Sequence, residues 1–163
     1  MLKKLSVFGI MGPILYLIHV VLGGILWKGY RHITQPISDL TATGAHNREI
    51  MSFITSIYGI FELIFVVSIF FYLKKLKSKN VNFSIILLIL MVLTSISYNF
   101  FPEDLPGTTL TFTGLMHIAV TGLIVPTAIL APLFMGVGLN KVSNYIVKIC
   151  FIEGSDYYFF KDL

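Results

Sequence analysis

Four long stretches of this chain carry almost no charge, and nothing else in it restricts the fold as much. Residues 5–27, 83–101 and 112–137 contain no Asp, Glu, Lys or Arg, and residues 51–73 contain only Glu62. Each approaches the roughly 20 residues with which an α-helix crosses a hydrocarbon core of about 30 Å. Membrane β-barrels show short alternating segments rather than solid runs, and an open sheet edge in lipid leaves backbone groups unpaired. The expected fold is therefore all-α: an integral membrane helical bundle with four clear transmembrane helices. Composition agrees, because a 163-residue chain that is 56% hydrophobic and 12% charged has more apolar surface than a water-soluble domain of that size needs.

The start, MLKKLSVFGIMG, has the basic residues of a signal peptide. The apolar run after it is longer than a signal-peptide core, and no small-residue cleavage pattern precedes Trp27, so an uncleaved first span is expected. Residues 1–137 read as one four-span domain. Residues 138–163 read as a cytoplasmic or interfacial tail with a short apolar segment, because VSNYIVKICFI is interrupted by Lys148 and too short to cross. Cys150 is the only cysteine, which excludes an intrachain disulfide and a cysteine zinc cluster.

The net charge of +4 calls for no nucleic acid, since the lysines gather at span ends. Lys3 and Lys4 precede the first span, Lys74, Lys75, Lys77 and Lys79 separate the second from the third, and Lys141 follows the fourth. The positive-inside rule places these ends in the cytoplasm and loops 28–50 and 102–111 outside a cell membrane. Both outer loops read as structured. Pro36 is suited to start a short helix that Gly44 ends, Asn47 to cap the second span, and Pro106-Gly107 to form a tight turn after Pro102 has stopped the third.

The loop motif QPISDL, the third span ending in NFFPED, and a histidine early in the fourth resemble the domain of unknown function 998 family of prokaryotic multi-pass membrane proteins. The resemblance covers residues 6–137 and implies membrane location and topology but no reaction. It implies more spans than the four found here, hence a C-terminus that is shortened or diverged. The polar positions it matches are Ser38, Asp39, Asp104 and His117.

Ionisable groups within a bilayer raise a functional hypothesis by default. Three lie in the spans. At 1.5 Å rise per residue, His117 lies about 8 Å and His19 about 12 Å below the outer boundary, with Glu62 near the middle. Asp39 and Asp104 sit above them in the outer loops, so the expected site is an outward-facing polar pocket. His117, Asp104 and Asp39 are its catalytic candidates, and Ser38, Glu62 and His19 its remaining polar groups. Asp104 and His117 are expected to face each other across the Pro106-Gly107 turn, with Glu103 in water. Such a set suits a hard or borderline divalent ion such as zinc, although no HExxH, GxSxG, GxxxxGK[ST] or CxxC motif occurs.

Function thus reads as a multi-pass membrane protein of unknown biochemical role. One alternative is an outer-leaflet hydrolase, metal-assisted or not, acting on a lipid or lipid-linked group. The other is a non-catalytic partner subunit or small-ligand sensor. The partners implied are the bilayer itself, and beyond it a lipid or another membrane protein.

Overall fold

The computed structural model describes residue 5, residues 7–144 and residues 148–150. Its four long helices are α1 (Phe8–Leu26), α2 (Arg48–Leu73), α3 (Lys79–Ser97) and α4 (Phe112–Leu139), all long and apolar enough to cross a membrane. The chain is a membrane-embedded helical protein. Each helix packs mainly on its neighbours in sequence, and the α3–α4 seam is the most extensive. Ile25, Phe53 and Phe112 are among many large apolar side chains left exposed, as lipid rather than water as solvent requires.

Local chemistry sets the boundaries. Ser78 caps α3 by accepting from the Val81 N–H, and Thr111 caps α4 by accepting from the Gly114 N–H. Asn47 stands at the start of α2 but makes no cap bond with its side chain. Its Nδ2 donates instead to the Leu26 carbonyl at 3.1 Å, tying the end of α1 to the start of α2. Pro36 precedes a 3-10 turn, Ile37–Thr41, and Gly44 follows with φ +87°. Leu105–Thr108 closes a turn through Thr108 N–H to Leu105 O at 3.1 Å, with Gly107 at φ +84°, the left-handed geometry that Pro-Gly favours.

Two apolar clusters hold the bundle. Val81, Ile85, Met135, Leu139 and Cys150 pack at the lysine-loop end, which draws part of the segment after residue 138 into the core. The rest of that tail, residues 145–147 and 151–163, lies outside the described residues. Tyr30, Leu40 and Met51 pack the 3-10 turn onto α1 and α2. Loops 28–50 and 102–111 meet where Thr43 N–H donates to Glu103 O at 2.8 Å and Thr43 pairs with Asp104 in an isolated bridge. Two glycines mark close approach of helices. A Cβ on Gly59 would meet Ile96 at 2.8 Å, and one on Gly138 would meet the Val81 backbone nitrogen at 2.8 Å, whereas Gly122 has open space.

Candidate functional site

Polar residues recur at helical spacing along the inner face of every span. Tyr16 and His19 lie on α1, Thr55, Tyr58 and Glu62 on α2, Met91 and Ser95 on α3 with Tyr98 and Asn99 just beyond it, and His117, Thr121, Ile124 and Ala128 on α4. Residues three, four and seven apart share one face of a helix. These stripes converge on one cavity of about 440 Å³, covered at the loop end by Ile37, Ser38 and Thr41 of the 3-10 turn. Of the residues singled out in the sequence, His19, Ser38, Glu62 and His117 line it. Asp39 and Asp104 do not.

At the loop end of the cavity, His117 is held on several sides. Its Nδ1 lies 2.9 Å from the Phe101 carbonyl. A carbonyl only accepts, so Nδ1 carries the proton. Its ring packs on Tyr98 with centroids 4.5 Å apart. Thr121 donates to the His117 carbonyl at 2.8 Å, which leaves the Tyr98 hydroxyl as the donor in its 3.0 Å contact with Thr121.

The acid facing His117 is not the expected one. Glu103 Oε2 lies 3.8 Å from His117 Nε2 and is buried without a hydrogen bond, rather than pointing to water. Because Nδ1 holds one proton, the contact is attractive only with a second proton on the pair. Asp104 is turned away to the start of α4, where its carboxylate accepts from Thr111 N–H at 2.7 Å and from Thr111 Oγ1 at 2.9 and 3.0 Å. A carboxylate there also complements the positive end of the helix dipole. The expected Asp104–His117 pair is thus replaced by His117–Glu103. Among the described residues no three His, Cys, Asp or Glu side chains are grouped to hold a metal ion.

Asp39 is fully buried. Its Oδ2 accepts from Gln35 Nε2 at 3.3 Å, and Oδ1 has no partner. Burial raises its carboxyl above the usual range; the Gln35 bond opposes this and the Glu103 charge adds to it.

Deeper in the bundle, Tyr58 and Glu62 of α2 stand beside Ser95 of α3 on the cavity wall. Glu62 Oε2 is buried without a partner. His19 is 3% exposed, and neither ring nitrogen has a protein partner.

A family model described as "Protein of unknown function (DUF998)" matches residues 10–152, which takes in α1 from Ile10 onward, all of α2, α3 and α4, and every cavity residue named above. The chain belongs to the DUF998 family. No curated protein and no solved structure matches it significantly. The site of this DUF998 protein therefore has to be read from its own geometry. Tyr16, Tyr58 and Tyr98, taken alone, read as packing or lipid-facing groups. The signal that marks them is the shared polar stripe of each helix.

Proposed function

We propose that this DUF998 protein is a membrane-embedded binding protein whose bundle cavity takes a small amphiphilic molecule. The observation that carries this reading is His19. An imidazole always has an N–H to donate, and a buried donor or acceptor left unpaired costs about 1–3 kcal/mol. Both His19 nitrogens are in that position on the wall of a cavity of about 440 Å³, within the roughly 300–1,000 Å³ usual for small-molecule sites. The same wall offers Ile37, Met91, Ile124 and Ala128 to an apolar body.

Filling the cavity tests the reading. Phenylethyl compounds, namely the ammonium, the alcohol and the matching 3-phenylpropionate, are added to protein in lipid nanodiscs and the melting temperature is followed. At least one should raise it by several degrees, and Ala128→Phe, which places a ring in the cavity, should abolish the response. Equal responses of wild type and Ala128→Phe would mean that the probes act through the lipid.

The hydrolase reading of the same polar groups now centres on His117 and Glu103, because Thr111 engages both oxygens of Asp104. No described contact supplies it with a nucleophile.

Lysine placement supports a cavity mouth on the outer side of the membrane. After replacement of buried Cys150, a cysteine at exposed Thr43 should react with an impermeant maleimide added outside intact cells, and one at exposed Lys75 should not. Labelling of Lys75→Cys alone would reverse the orientation.

A further inference from the structure

We infer that the ligand of the bundle cavity is a small organic cation, an ammonium group on an apolar body, with Glu62 as its counter-charge. This rests on the cavity reading above and adds the chemical class of the ligand. Among the described residues, Glu62 is the only Asp, Glu, Lys or Arg on the cavity wall. A carboxylate deep in a bilayer needs a partner of opposite charge or a proton of its own, and no Lys or Arg of the lining can serve.

The immediate surroundings suit an ammonium. Tyr58 stands beside Glu62, whose Oε2 is a buried acceptor with no protein donor. Tyr16 and Tyr58, with ring centroids 5.5 Å apart, bring aromatic faces to the wall that holds the acid. Such faces attract ammonium groups through their quadrupoles. Gly12 completes the arrangement: a Cβ there would lie 3.5 Å from Glu62 Cγ and 3.8 Å from the Tyr58 ring, so its absence leaves space behind both.

Two further carboxylates stand near the loop end but off the cavity wall. Glu103 Oε2 and Asp39 Oδ1, at the loop end, are both buried without hydrogen-bond partners. Arg48, in the same loop region, donates Nε to the Thr41 carbonyl at 3.3 Å and is not part of the cavity wall. An anion in the cavity would meet like charge at Glu62. A neutral alcohol would gain no charge pairing at Glu62.

The phenylethyl series in nanodiscs separates these cases, with Ala128→Phe as the blank for lipid partitioning. The expected order in wild type is 2-phenylethylammonium well ahead of 2-phenylethanol, with 3-phenylpropionate inactive. In Glu62→Gln the ammonium should bind about tenfold weaker or worse, as loss of a charge-assisted hydrogen bond implies. The response to the alcohol should persist, which also shows that the variant is folded. Alcohol equal to or better than the ammonium in wild type would overturn the cation assignment and leave the cavity reading standing. An ammonium preference that survives Glu62→Gln would overturn the role of Glu62. Should Glu62→Gln not fold, the wild-type order alone decides. No response to any probe would remove the cavity reading and this inference with it.

Discussion

Gly138→Ala should lower the stability of the bundle by about 2 kcal/mol or more, while Gly122→Ala on the same helix should be neutral or stabilising by up to about 1 kcal/mol. The difference lies in what the new methyl group meets. At Gly138 it would stand 2.6 Å from Val81 Cγ2, 2.8 Å from the Val81 backbone nitrogen and 3.2 Å from Ser78 Oγ. Val81 is fully buried, and a backbone atom cannot rotate out of the way. The only relief is to separate α3 from α4 along the most extensive seam in the molecule. That would also disturb Ser78, whose side chain caps α3 by accepting from Val81 N–H. At Gly122 nothing lies within 4 Å, so alanine gains its helical preference without a clash. Equilibrium unfolding in mixed micelles measures both. Similar changes at the two positions would show that α3 and α4 are not held at backbone contact.

Asp104→Ala should cost about 2 kcal/mol, between the usual value of an N-terminal cap and that of a fully buried charge-assisted bond. The carboxylate accepts from both the backbone and the side chain of Thr111, and Thr111 Oγ1 in turn accepts from Gly114 N–H, so the first turn of α4 hangs on this group. Gly114 lies directly against the carboxylate, leaving it room to reach the helix start. In a double-mutant cycle Asp104→Ala and Thr111→Ala should be coupled by about 1 kcal/mol, because either change alone removes most of the same arrangement. The coupling of Asp104→Ala to His117→Gln should be much smaller, and that of Glu103→Gln to His117→Gln larger. Coupling of Asp104 to His117 as strong as to Thr111 would return those two residues to one shared cluster.

The spans were legible because lipid imposes a crude and unambiguous demand. About twenty apolar residues must run together, and every backbone group must be paired within the segment. Some helix ends were legible for a related reason: proline lacks an N–H and glycine tolerates positive φ, each within a few residues of where it acts, whereas Asn47, expected to cap α2, makes no cap bond. The Pro106-Gly107 turn and the short 3-10 turn after Pro36 are local chemistry of this kind.

The site was only half legible. Four of the six polar residues chosen from the sequence line the cavity: His19, Glu62 and His117, because an ionisable side chain inside a span must turn toward the bundle whatever its partners are, and Ser38 from the 3-10 turn that covers the loop end. The tyrosines were not distinguished, since an aromatic ring is as much at home in lipid as on a cavity wall, and only the packing of four helices selects between them.

Asp104 and Glu103 changed places for another tertiary reason. Successive residues of an extended segment point to opposite sides, so a shift of one residue exchanges them. The bridge of Thr43 to Asp104, made between loops far apart in sequence, sets that register. The sequence by itself determined a four-helix membrane protein with a polar interior, because burial in lipid is decided one segment at a time. Which acid faces His117, and which face of each helix closes the cavity, depends on contacts between segments, so the tertiary structure alone decided them.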